Sequence, residues 1–188
     1  PEPIGPVSLA DIKRTLDHGD ERLRDLVTIH LATAMRPSEL LGMRWDRIDR
    51  KSNPWVYTPI THKTEHHGRE RRIFIPFRVQ SCLNRYDKRS ILYLFVSKPR
   101  GPHNRYKGPI TVSGYRSMIR RACERGGVSP WHPNQLRHTA LTLIRSEYGL
   151  EAAQVIAGHS EARTTEIYAE RDEQLGRRVA TESPDWLE

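Results

Sequence analysis

Two hydrophobic periods divide this chain. Apolar positions recur at helical spacing from Ser8 to Leu41, fall into short alternating runs from Trp45 to Pro76, and return to helical spacing beyond Phe77. Ser8-Leu9-Ala10-Asp11 places a hydroxyl where it can cap a first turn, which predicts a helix to about Asp17. Asp20 can cap the next helix, in which Leu23, Leu26, Val27, His30, Leu31 and Ala34 keep helical spacing. Pro37 suits the first position of a short helix, and Glu39 falls in its first turn, where a carboxylate is favoured. Residues 45–49, 55–60 and 71–76 predict three short strands, the last two joined by a polar turn containing Gly68. Further helices are predicted at about 77–87, 112–125, 133–147, 151–157, 161–169 and 172–180. Gly126-Gly127 and Gly149 mark helix ends, and a Pro- and Gly-rich loop covers 97–109. The expected fold is mainly α with a small antiparallel β-sheet (α+β). About seven to nine helices surround one core, with a three-stranded sheet near residues 45–76.

Composition narrows the function. The 188 residues suffice for one domain with a sizeable core. Lys and Arg number 31 against 23 Asp and Glu, a net charge of +8. The resulting pI near 9.8 suits a nucleic-acid partner, because neutralising phosphates releases counterions; plain solubility is the competing reading. Arginine dominates the positive charge, which favours bidentate phosphate contacts. No apolar run approaches the ~20 residues of a membrane span and no signal-peptide pattern opens the chain, so a cytoplasmic location is expected. Cys82 and Cys123 are isolated and read as ordinary thiols. His62, His66 and His67 read as solvated turn residues, not metal ligands, and no metal or cofactor is expected. The opening Pro1-Glu2-Pro3-Ile4-Gly5-Pro6 reads as linker, which gives a linker remnant over 1–7, a domain over 8–182 and a tail over 183–188. Leu187-Glu188 has the form of a cloning remnant.

The chemistry lies in residues far apart in the chain. Tyr168 follows His159 by nine positions; Arg137-His138 lies upstream of both, and Arg36 stands before Pro37 at a helix start. A phosphodiester attacked by a phenol poses three problems. Its transition state gains negative charge, the phenol must lose a proton, and the leaving oxygen must gain one. Arg36 and Arg137 answer the first, since each is permanently charged and presents a fork of donors. A phosphate at Arg36 would also meet a helix N-terminus. His159 adds a donor. Lys63, in the hairpin turn, can shed a proton to the leaving oxygen. Tyr168 can then hold a covalent phosphotyrosine that stores the bond for religation.

These residues resemble, in order, the catalytic domain of the tyrosine recombinases, the phage-integrase family. Its first-arginine motif is matched by Ala32-Thr33-Ala34-Met35-Arg36-Pro37-Ser38-Glu39-Leu40-Leu41, with Ala34 where glycine is usual. The turn lysine is matched by His62-Lys63-Thr64, followed by a basic strand from Arg69 to Ile75. Asn134-Gln135-Leu136-Arg137-His138-Thr139 matches the second-arginine box. Ala157-Gly158-His159-Ser160 and Thr164-Thr165-Glu166-Ile167-Tyr168 match the closing motif. The resemblance implies a site-specific recombinase domain acting on double-stranded DNA through a 3′-phosphotyrosine, with no metal or ATP. Its catalytic residues would be Arg36, Lys63, Asn134, Arg137, His159 and the nucleophile Tyr168, with Glu39 orienting Arg36 and His138 beside Arg137. It further implies a tetramer on DNA for a full-length protein and an N-terminal DNA-clamping domain absent from this chain. The free fragment is expected to be a monomer that binds DNA weakly and in a salt-sensitive way.

One position departs from the family. Its second box usually reads His-x-x-Arg, where this chain has Asn134. An amide cannot accept the tyrosine proton, but it can donate to a phosphate oxygen. Two rivals follow. A type IB topoisomerase shares the chemistry but relaxes supercoils, and the integrase-like spacing from His159 to Tyr168 speaks against it. A DNA-binding module without catalysis would show decay at Asn134 first, yet the other five positions are intact.

Overall fold

The computed structural model describes residues 5–60, 71–86, 92–97, 108–158 and 166–188, with side chains from residue 170 in the last segment. Helix α1 (Leu9–Asp17) starts where Ser8 Oγ accepts the Asp11 amide at 3.0 Å, and it buries Ile12 and Thr15. Helix α2 (Glu21–Thr33) is capped by Asp20, whose carboxylate accepts the Leu23 amide at 2.8 Å. Leu23, Leu26, Val27, His30 and Leu31 are all buried. The helix ends at Ala34, which takes a left-handed φ of 48° and donates its amide to the His30 carbonyl. That conformation favours glycine, and alanine adopts it here. Helix α3 (Pro37–Leu41) follows at once.

The sheet is shorter than the sequence pattern predicts. Residues 45–49 form a 3₁₀ turn, Trp45–Arg47, before the two-residue strand β1 (Ile48–Asp49). The Arg47 amide closes that turn on the Arg44 carbonyl at 3.1 Å, leaving only the last two residues extended. Strand β2 (Trp55–Tyr57) stops before Pro59, which has no amide to donate. Strand β3 (Ile73–Ile75) pairs antiparallel with β2, and the order is β1-β2-β3. Both faces are covered: Tyr57, Ile73 and Ile75 join the main core, while Val56 and Phe74 pack with Ala180.

Helices complete the body. Helix α4 (Phe77–Asn84) leads from the sheet, and α5 (Val112–Gly126) ends on Gly127 at φ 61°. Helix α6 (Pro133–Ala157) bends at Gly149, whose φ of 88° and ψ of 173° separate the two helices predicted there. Helix α7 (Glu166–Glu182) is continuous where two helices, 161–169 and 172–180, are predicted. No glycine or proline interrupts residues 170–175, and Arg177 pairs with Glu173 one turn away. Helix α2 packs on α6, α1 on α5, and α7 on α6 and β3. Among the described residues no helix is long and apolar enough to cross a membrane.

Candidate active site

A carboxylate with almost no access to water gathers the site. Glu39, in α3, has a side chain only 1% exposed. Its Oε2 accepts the Arg36 amide at 2.6 Å, and its Oε1 lies 3.1 Å from Arg36 Nη1 and 3.6 Å from Arg71 Nε. The Tyr57 hydroxyl donates to the Glu39 carbonyl at 2.9 Å and pins α3 to the sheet. Pro37 has no amide hydrogen and the Arg36 amide is already given to Glu39, so an anion here would rely chiefly on guanidinium donors.

Arg137 approaches from the first half of α6. Its Nη1 donates to the Ala34 carbonyl and its Nη2 to the Ala157 carbonyl at 2.9 Å. The left-handed turn at Ala34 therefore presents its carbonyl to Arg137 two residues before Arg36. Burial, with the nearby Arg71 and Arg36, draws the Arg137 pKa down to about 10, so it stays charged near neutrality. Behind it, His30 is fully buried and its Nε2–H donates to the Met35 carbonyl at 2.9 Å. Desolvation pushes the His30 pKa down to about 3, which fixes it as a neutral donor.

The electrostatic result is one carboxylate facing three guanidiniums, Arg36, Arg71 and Arg137. Two positive charges go unmatched among the described residues. Unpaired charge in a dry site is costly, and an anion would satisfy it. Arg36 keeps a side-chain exposure of 20%, so the cluster opens to solvent through it.

The predicted residues divide into three groups. Arg36, Glu39 and Arg137 are brought together. Asn134 stands exposed on the first turn of α6, one turn before Arg137, and His138 is exposed beside it. His132 occupies the N-cap position of this helix, and burial, Arg116 and His138 hold its ring below the usual histidine pKa. Lys63 and His159 lie outside the described residues, and Tyr168 is described only as a backbone position in the first turn of α7. Asn134 thus lies on a solvated face while Arg137, one turn on, is buried. Arg71 was missed as a site residue, although strand alternation with Ile73 and Ile75 points it inward.

Comparison with known proteins supplies the family. The family model described as "Phage integrase family" matches residues 7–174. This chain belongs to that family. Tyrosine recombinase XerC of Staphylococcus epidermidis (strain ATCC 35984) is 33% identical over 178 residues, covering 88% of this chain and 56% of that protein. XerC of Xylella fastidiosa (strain M23) is 29% identical over 160 residues, covering 84% and 51%. This integrase-family chain thus spans about half the length of these curated relatives. Among solved structures, XerA recombinase covers 96% of this chain and 60% of its own at 19% identity, with a TM-score of 0.63. The Tn1549 transposon integrase in complex with circular intermediate DNA covers 93% and 67% at 21% identity, with a TM-score of 0.65. These establish the tyrosine-recombinase catalytic fold, mainly helical with its small antiparallel sheet.

Proposed function

We propose that this domain is the catalytic part of a site-specific DNA recombinase that cuts and rejoins strands through a 3′-phosphotyrosine. The observation that carries the reading is the surplus of buried guanidinium charge around Glu39, open to solvent at Arg36. A phosphodiester is an anion of matching shape for such forks. Arg36 and Arg137 hold the non-bridging oxygens, His159 adds a donor, and Asn134 supplies an amide from the exposed start of α6. The Tyr168 hydroxyl gives its proton to water as its oxygen attacks phosphorus; the bond to the 5′-oxygen breaks, and Lys63 gives that oxygen its proton. A 5′-hydroxyl of the partner strand then attacks the phosphotyrosine and releases Tyr168. Helix α5 presents Arg116, Arg120, Arg121 and Arg125 at the surface, which adds counter-charge for double-stranded DNA. A tetramer on DNA would supply the four active sites that two duplexes require.

The test uses a pool of nicked duplexes randomised on both sides of the nick, so that the short cleaved strand diffuses away and traps the adduct. Wild-type protein is expected to give a denaturant-resistant protein–DNA band, and Tyr168→Phe none. A band of equal strength from Tyr168→Phe, or none from wild type, would overturn the reading.

A further inference from the structure

Strand β3 enters the molecule with a charge pointing inward. Arg71 shares the face of Ile73 and Ile75 and is 7% exposed, close to its apolar neighbours. Its Nη2 donates to the Ile156 carbonyl at 2.8 Å, in the last turn of α6. Its Nε lies 3.6 Å from Glu39 Oε1, within ion-pair range but beyond a hydrogen bond, and that buried N–H has no hydrogen-bond acceptor. The guanidinium also lies against Gly158. A Cβ on that residue would sit 2.7 Å from Nη1 and 3.0 Å from Cζ, and its φ is 69°. The glycine before His159 therefore gives room to Arg71 as well as ending the helix.

These contacts join two halves of the site. Arg137 holds the Ala157 carbonyl, next to the one held by Arg71, and with its other nitrogen holds Ala34. Glu39 takes Arg36 on one side and Arg71 on the other. A ring results, running Ala34, Arg137, the end of α6, Arg71, Glu39 and Arg36, with Arg36 two residues beyond Ala34. Open carbonyls at a helix end attract cations, and here two arginines take successive ones.

We propose that Arg71 is a positioning residue for strand cleavage, bracing Glu39 against the last turn of α6 and so setting the spacing between Arg36 and Arg137. This rests on the function proposed above. Arg71 acts through Glu39 and the Ile156 carbonyl, whereas Arg36 and Arg137 are the groups that meet phosphate. Lysine cannot substitute, because its single nitrogen cannot span the carboxylate and the carbonyl as a guanidinium does.

The test measures single-turnover adduct formation, at saturating concentrations of the nicked duplex selected above, together with DNA affinity and thermal unfolding. Arg71→Lys is expected to slow adduct formation by about 10- to 100-fold, the usual size of a supporting-contact loss, with DNA affinity unchanged. Arg71→Met removes the charge and lowers the unfolding temperature. At a temperature where it is folded, Arg71→Met is also expected to form adduct slowly. Wild-type rates in Arg71→Lys, or in folded Arg71→Met, overturn the inference and leave the function standing. Weaker binding with a shallower salt dependence in Arg71→Lys makes Arg71 a phosphate ligand and overturns it too. No adduct from wild type overturns both.

Discussion

Two carboxylates in this molecule each hold a pair of arginines, and their settings are opposite. Glu39 stands between Arg36 and Arg71 with its side chain 1% exposed, and Arg137 backs the pair. Glu173, on α7, stands between Arg72 and Arg177 with its side chain 33% exposed. At the second site water shares the load, and both guanidiniums also lie over the Phe74 ring, at 5.9 and 5.4 Å from its centre. That arrangement fastens α7 to the outer face of the sheet. At the first site the carboxylate is shielded from water, which reaches the cluster only through Arg36, and three cations share one anion. The same motif is neutral enough to act as a clasp when wet and keeps surplus positive charge when shielded.

The sharpest way to break this comparison is to remove the buried carboxylate. Glu39→Ala leaves Arg36, Arg71 and Arg137 facing one another without a counter-charge. Loss of one partner from a buried ion pair costs about 3–5 kcal/mol, and urea unfolding should show a drop of that order. A change below about 1 kcal/mol, the size of a surface pair, would mean that the cluster is hydrated and that the contrast with Glu173 is false.

How much of this was legible beforehand follows from the kind of signal each feature leaves. The helices showed in the apolar spacing, and the bend of α6 showed in Gly149 because few residues other than glycine tolerate its φ of 88°. Arg36, Glu39 and Arg137 were legible because each sits at a fixed offset in a recurring motif. The first strand was misread: alternation cannot separate Trp45–Arg47 as a 3₁₀ turn from an extended run so short. The break between two C-terminal helices was also misread: nothing between residues 170 and 175 interrupts a helix, and Glu173 pairs with Arg177 one turn on. Arg71 was readable from the two-residue period it shares with Ile73 and Ile75, but a basic residue in a basic stretch looks like a solvated one. Only the partners distinguish it, and Glu39 and Ile156 lie 32 and 85 positions away.

Acid should separate the two regions. His30 braces the Met35 carbonyl beside the dry cluster, and its pKa falls from an ordinary 6.5 to about 3. Above pH 6.5 the ring is neutral in both folded and unfolded chains and contributes no pH dependence. Below it the unfolded chain binds a proton that the folded chain refuses, so stability is lost as pH falls from 6.5 towards 3. The linkage amounts to about 2 kcal/mol between pH 7 and pH 5. His30→Gln keeps a donor but cannot ionise, and unfolding across this range should lose that part of its slope. Equal slopes for the two proteins would show that His30 titrates freely and that the region behind Arg36 is open to water.

The smallest effect is expected at the wet carboxylate. Hydrogen bonding from Arg177, with the charge of Arg72, holds the Glu173 pKa below the ordinary carboxylate value, so its contribution is present above about pH 4.5 and fades as pH falls below it. Solvent screening limits such a pair, and Glu173→Gln should cost less than about 1 kcal/mol in urea unfolding at neutral pH, with the loss shrinking in high salt. The ring contacts to Phe74 and the close approach of Gly176, where a Cβ would collide with that ring, remain to hold α7 in place. A loss above 2 kcal/mol, insensitive to salt, would put Glu173 on the same footing as Glu39. The α7 clasp would then be part of the dry architecture, and the helix that carries Tyr168 would be held as rigidly as the guanidiniums.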